Sequence, residues 1–419
     1  MMAPSESTPL RGGGHAWFVW FVAAAFVFLE LFVRVIPGVM APAIERDLAM
    51  DAGGLGASMG LYYLTYAPMQ LVAGVLIDRW GTRWIMPVAA MLCGGGLLIS
   101  GLADSAAAMS VGRLVSGTGS AVAFVGAVYA ASIWFKAGNL ALIGGLTTTM
   151  GMSGAALGTG TATQLQMAMG WRGTFLAGAI ACGVLAVVLV CVLPRRPPWA
   201  ESTGGSLAAS FRELGKVLAC GRIWIIGLVS LLVYTPISAF GALWGASYIE
   251  AALPGTSASE AGWVVAMLFI GIAVMGPIVG RISDRSGNRA GLMGIGSIVM
   301  AVSLTGLVFL PSMNLAVAFV LVLLVGAATS IQVVTYAAGM ELQPPSRHGA
   351  AVAFVNFSAM FSGLLMQPLI GEVLNLERPA GEATNSIENY QVALLTLPIC
   401  AVIAVVLCGV LVIARRRSS

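Results

Sequence analysis

The chain has 419 residues, of which 58% are hydrophobic and 9% charged, with a net charge of +4 and a mean hydropathy of +0.93. Soluble domains carry about 25% charged residues, so this composition excludes a soluble enzyme, and hydrophobicity this high excludes a disordered chain. A polytopic membrane protein remains, long enough for twelve spans of roughly 20 residues each with short loops and no sizeable soluble domain.

Residues 1–15 are polar, and the apolar run from Ala16 is too long for the core of a cleavable signal, so it reads as the first span. Apolar runs set against breakers predict helices 1 to 6 at 16–43, 54–77, 84–103, 106–134, 139–165 and 174–193. Helices 7 to 12 follow at 223–248, 261–282, 291–310, 315–340, 350–373 and 391–414. The runs are continuous rather than alternating, which excludes a closed barrel. The expected fold is an all-α membrane protein: an N-terminal six-helix unit (1–193), a polar linker (194–222) and a C-terminal six-helix unit (223–419). Pro68, Pro277 and Pro368 mark expected kinks in helices 2, 8 and 11.

Chemistry-bearing motifs are scarce. The six cysteines form no C-x-x-C pair, and no zinc helix, phosphate loop or nucleophile elbow occurs. The chain is therefore expected to be no enzyme, to carry no metal or cofactor, and to bind no nucleic acid.

Lysine and arginine set the orientation, because cytoplasmic loops carry the excess. With both termini cytoplasmic, sixteen of them fall on the cytoplasmic side and three, Arg46, Arg172 and Arg378, on the other. Arg34 and Arg113 remain inside spans.

Two loops share the pattern G-x-x-x-D-R-x-G-x-R at an offset of 206. One, after helix 2, contains Gly74, Asp78, Arg79, Gly81 and Arg83; the other, after helix 8, contains Gly280, Asp284, Arg285, Gly287 and Arg289. Glycine permits close approach of a helix end, and aspartate can cap a helix or pair with arginine. Such a clasp would gate the cytoplasmic face, or serve only as a tight turn that anchors topology.

On these residues the chain resembles the major facilitator superfamily. The doubled loop looks like that family's signature. Arg113, Gly117 and Gly119 are similar to its R-x-x-x-G-x-G motif in helix 4, and Gly170-Trp171-Arg172 with Phe175 matches a further feature before helix 6. The resemblance covers essentially the whole chain. It implies two six-helix bundles around a central cavity lined mainly by helices 1, 4, 7 and 10, alternating access, and substrate near the midplane. Helix 5 has Gly151, Gly154, Gly158 and Gly160 but lacks the proline of the drug–proton antiporters; its glycines read as close helix packing.

Three ionisable residues lie well inside spans: Glu30, Arg34 and Arg113. Each costs about 2.5–3.5 kcal/mol at a helix centre on insertion scales, so each is expected to face a cavity or a partner. Glu30 and Arg34 share a helix face at i, i+4, and Arg113 is expected at the depth of Arg34. One reading is an anion site with a protonatable carboxylate, since the guanidinium fork suits carboxylate, sulfonate or phosphate. The other is a closed structural ion pair, with Arg113 bonded to backbone carbonyls. One positive charge is left after pairing, which favours the anion. The segment from Arg34 to Pro42 also looks like helix 1 of the superfamily's organic-anion and organophosphate carriers. Those phosphate exchangers bring a second arginine from helix 7, and none lies within that span here, which favours a monocarboxylate or sulfonate.

The polar candidates for substrate contact are Tyr62 and Tyr66 in helix 2, Tyr234 and Ser238 in helix 7, and Gln332 and Tyr336 in helix 10. The expectation is a monomeric, proton-coupled carrier of a small organic anion in the bacterial inner membrane, with Glu30 taking the proton. Proton-coupled efflux of drug-like amphipaths is the alternative, followed by a membrane sensor.

Overall fold

The computed structural model describes residues 13–135, 139–193, 207–311, 313–378 and 385–416. The linker stretch 194–206 lies outside the described residues, as do Arg11, Lys136, Arg195, Arg196 and Arg417 of the charge count.

Helices dominate because lipid offers no partner for backbone N–H and C=O groups, which a helix satisfies internally. The spans are helix 1 Gly14–Asp47, helix 2 Ala52–Trp80, helix 3 Thr82–Gly101 and helix 4 Ala106–Trp134. One continuous element, Leu140–Val192, turns sharply at Gly170 (φ 69°, ψ 171°) and so comprises helices 5 and 6. Helices 7 to 12 are Gly221–Ala252, Ala258–Ser286, Arg289–Phe309, Leu315–Glu341, Pro345–Glu377 and Ile387–Ile413. Several helices outrun their expected limits: helix 1 reaches Asp47 rather than residue 43, because an apolar count stops at the first charge while the helix continues into the interface. Starts are marked by side-chain caps where the chain meets water: Asp51, Ser105, Asn288, Asn314 and Ser386 accept from backbone N–H groups, and Ser257 with Glu260 forms a capping box.

The packing shows the two-fold repeat. Helix 3 packs on helices 4 and 6 as helix 9 packs on 10 and 12; helix 1 packs on 5 as 7 packs on 11. Across the halves, helix 2 packs on 11 and helix 8 on 5. Helices 4 and 10 both break their regular winding at matching places, Ala121 and Ser330–Ile331. Exposed side chains such as Ile180 and Val302, each 68% accessible, are tolerable only against lipid.

Within the expected linker, Leu207–Leu218 is a helix. Glu213 ties it to the start of helix 11 through Arg347 at 3.1 Å and bonds Lys216 at 2.5 Å. The Lys216 ammonium holds the Glu213 carboxyl below the usual carboxylate range.

Candidate functional site

Helix 1 supplies the central charges. Glu30 and Arg34 are 2% and 4% exposed and form an ion pair. Tyr62 of helix 2 completes the group: its hydroxyl donates to Glu30 Oε1 at 2.6 Å and accepts from Arg34 Nε at 3.3 Å. The Arg34 guanidinium also lies 4.6 Å from the ring centre of Tyr66 and 5.2 Å from that of Tyr62, close enough for cation–π attraction. Helix 2 also lies hard against helix 4 at this level, because Gly117 of helix 4 has no side chain; a Cβ there would stand 2.2 Å from the Tyr62 carbonyl oxygen.

Arg113 joins this group from behind. It is 2% exposed, its guanidinium lies 4.6 Å from the Tyr62 ring centre, and its Nε has no hydrogen-bond partner. The expected meeting of two guanidinium groups at one level thus runs through Tyr62, and Arg113 bonds no backbone carbonyl among the described residues.

A cavity of about 1620 Å³ runs between the halves from Glu30 and Arg34 to the two signature loops. Tyr66, Tyr234, Gln332 and Tyr336 line it with Glu30 and Arg34; Tyr62, Arg113 and Ser238 do not. Ser238 is fully buried and bonds Ser362 Oγ at 2.7 Å. Gln70 of helix 2 and Asn356 of helix 11 also line the cavity and bond one another across the halves. Sequence reasoning missed both, although an amide inside an apolar span is the same signal that singled out Gln332.

The end opposite the loops is shut by close backbone contact. A Cβ on Gly38 would meet Ala242 O of helix 7 at 2.8 Å, and one on Gly56 would meet Gln367 O of helix 11 at 2.3 Å. Helix 7 is irregular here. Pro236 has no N–H for the carbonyl of Leu232, which the Thr235 hydroxyl takes instead at 2.8 Å, and the chain widens into a π-helix over Pro236–Trp244. Gln367 Nε2 donates to the Ser238 carbonyl at 2.7 Å, and Trp244 donates to Gln367 O at 3.2 Å.

The signature loops differ in detail. Gly81 (φ 77°) and Gly287 (φ 61°) occupy the left-handed region that favours glycine. Gly74 and Gly280 line the cavity wall; Gly74 has open space beside it and a Cβ on Gly280 would make only ordinary contact with Val333 at 3.8 Å, so no close approach explains them in this conformation. Arg289 bonds Asp284 at 2.7 Å and Glu341 at 2.9 Å. In the first loop Arg83 donates to Leu193 O at 2.8 Å, and Arg79 lies over the Trp80 ring. Asp78, Asp284 and Arg285 reach the cavity mouth. The Gly170 turn carries Trp171 and Arg172, which bond Asp47 at 2.9 and 3.0 Å and clamp the far ends of helices 1 and 6.

Comparison with known proteins gives a consistent picture. The family model of the Major Facilitator Superfamily matches residues 21–254 and 226–419. A probable sulfoacetate transporter, SauU of Cupriavidus necator, is 27% identical over 163 residues, 39% of this chain and 38% of that protein. The 4-hydroxybenzoate transporter PcaK of Acinetobacter baylyi is 26% identical over 183 residues, 43% of this chain and 39% of that protein. In both cases the match spans well under two thirds of the relative's length. A bacterial homologue of the human lysosomal transporter Spinster, solved inward-facing and unoccupied, superposes with a TM-score of 0.76 at 17% identity, covering 95% of this chain and 97% of that one, and shows the same fold.

Proposed function

The chain belongs to the Major Facilitator Superfamily, and from that membership we propose a secondary transporter that moves a small organic anion, of the monocarboxylate or sulfonate type, across the bacterial inner membrane in step with protons. The observation that carries this reading is Arg34, a guanidinium at the closed end of a cavity that opens at the signature loops. A planar fork is suited to a carboxylate or sulfonate, and relatives named for sulfoacetate and 4-hydroxybenzoate support an anion.

Coupling follows from charge balance. Glu30 neutralises Arg34. An anion that takes Arg34 leaves Glu30 uncompensated in a low-dielectric site, which is costly. A proton on Glu30 removes that cost, so anion and proton bind together. Tyr62 holds the carboxylate in place, and Arg113 behind it keeps the region positive.

The arginine and lysine bias puts the signature loops, both termini and the linker on the cytoplasmic side, which makes this conformation inward-open. Asp78, Arg79, Gly81 and Arg83, with Asp284, Arg285, Gly287 and Arg289, would close the mouth when the halves rock, and Gly74 and Gly280 would then meet the helices opposite. The unit of function is the monomer.

A thermal-shift screen of the purified protein with carboxylates, sulfonates and phosphates at two pH values tests this. An anion should raise the Tm of the native protein, and Arg34→Ala should abolish the shift. Arg34→Lys should recover little, since a point charge does not reproduce two parallel hydrogen bonds. The apolar part of the cavity lining, with Phe124, Leu142, Phe211 and Ile272, favours a second reading, efflux of amphipaths. A shift with tetraphenylphosphonium, and none with any anion, would select it.

A further inference from the structure

The cavity contains a second polar group that the charges do not account for. Asn356 Nδ2 donates to Gln70 Oε1 across the boundary between the halves. The Tyr336 hydroxyl donates to Asn356 Oδ1 at 2.8 Å, and the Gln332 amide nitrogen donates to Tyr336 Oη at 3.4 Å and to Ser230 Oγ at 2.7 Å. Ser230 in turn donates to the Val355 carbonyl at 2.9 Å. The backbone carbonyl of Val355, which can only accept, sets the direction at the Ser230 end. Ser230 and Tyr336 spend their protons on carbonyl-type oxygens, so both accept from Gln332, and Gln332 Oε1 is left with no partner. At the other end, Gln70 Nε2 has no partner among the described residues, and Gln70 and Asn356 are only half-buried where they line the cavity. The network therefore presents unspent amide N–H donors, from both halves, to whatever fills the cavity.

Position relates these donors to Arg34. Tyr66 lies beneath the Arg34 guanidinium, and Gln70 is one turn further along helix 2, a rise of roughly 6 Å. Tyr66, Tyr234 and Tyr336 line the cavity around this interval. A six-membered ring with substituents at opposite corners spans a comparable length and offers flat faces to tyrosines. Among the described residues that line the cavity, the next cations after Arg34 are Arg281 and Arg285 at the mouth, so a second anionic group beside the amides would lack a counter-charge.

Building on the anion reading above, we infer that the substrate is an aromatic monoanion whose charged group binds Arg34 and whose far substituent is a hydroxyl or carbonyl oxygen accepting from Gln70 and Asn356. Such a ligand touches both halves at once, as a molecule that triggers their rocking must.

The test is binding of 4-hydroxybenzoate, benzoate, 4-aminobenzoate and sulfoacetate to the full chain in detergent, by calorimetry. The hydroxylated ring should bind about tenfold more tightly than benzoate, and 4-aminobenzoate, whose nitrogen is a poor acceptor, should bind like benzoate. Gln70→Ala and Asn356→Ala should each bring the hydroxyl preference close to one while benzoate affinity stays within about twofold, which also shows that the protein is folded. Equal binding of 4-hydroxybenzoate and benzoate, or a preference unmoved by both substitutions, overturns the amide subsite. Arg34-dependent binding of sulfoacetate with none of the benzoates overturns the aromatic class and leaves the anion reading standing. If no anion binds, or if Arg34→Ala binds anions as tightly as the native protein, the anion reading itself falls.

Discussion

Glu30 and Arg34 form a neutral pair with almost no exposed surface, and the question they raise is whether that pair opens. A buried pair contributes little net stability, whereas removing one partner typically costs about 3–5 kcal/mol because the other charge is stranded. Glu30→Gln avoids the worst of this, since it mimics the protonated acid and retains an oxygen to accept from Tyr62 and Arg34. It should bind substrate, exchange substrate for substrate across a vesicle membrane, and fail to accumulate substrate against a proton gradient. Counterflow and gradient-driven uptake in proteoliposomes separate these outcomes. If instead the double variant Glu30→Gln/Arg34→Gln folds and transports normally, the pair is structural and the anion site lies elsewhere. The three membrane charges were legible in the sequence because charge at that depth is costly and therefore rare. The part played by Tyr62 was not: its spacing from Tyr66 marks a shared helix face, but nothing in it distinguishes a residue that lines the cavity from one that sits behind it.

Helices 1 and 5 illustrate how small residues position these charges. A Cβ on Gly154 would stand 2.2 Å from the Phe28 carbonyl oxygen, and one on Gly158 would stand 2.8 Å from that of Phe32. Helix 5 thus lies against the backbone just before Glu30 and Arg34, as expected for glycines that replace hydrophobic driving force with close contact in lipid. Gly154→Ala should lower the Tm, with a cost of about 1–3 kcal/mol typical of overpacking. Gly144→Ala, on the same helix with open space around it, should leave the Tm unchanged or raise it slightly, because alanine is the better helix former. A thermal melt of the two variants checks both signs, and equal effects would mean that the helix 1–helix 5 contact is not tight. The π-helix of helix 7 is the opposite case. Pro236 announces a disturbance, but whether the chain kinks or widens depends on Thr235 and Gln367, which capture the displaced carbonyl groups of Leu232 and Ser238.

For the molecule as a whole, one end is shut and the other open, and the proposal that the open end faces the cytoplasm rests on the charge bias. In a background without the six native cysteines, Asp104→Cys in the helix 3–4 loop should react with an impermeant thiol reagent in intact cells. Ser286→Cys in the second signature loop should react only after permeabilisation. The reverse pattern would invert the orientation and turn this conformation outward-open.

Composition, hydropathy and the doubled loop were enough to establish a twelve-helix repeat, because lipid imposes length and apolarity on each span with few exceptions. The three membrane charges and the close-packing glycines of helix 5 were readable for related reasons. Which helix faces meet was left to the tertiary structure. In a membrane the lipid-facing and packed surfaces are both apolar, so periodicity carries little information about which side looks inward. Hence Ser238, a reasonable candidate from its i, i+4 spacing to Tyr234, is sealed against Ser362, while Gln70 and Asn356, 286 residues apart, meet in the cavity. The open end was likewise beyond the sequence, since a carrier that works by exchanging two conformations must encode both, and only a particular packing of the halves selects one.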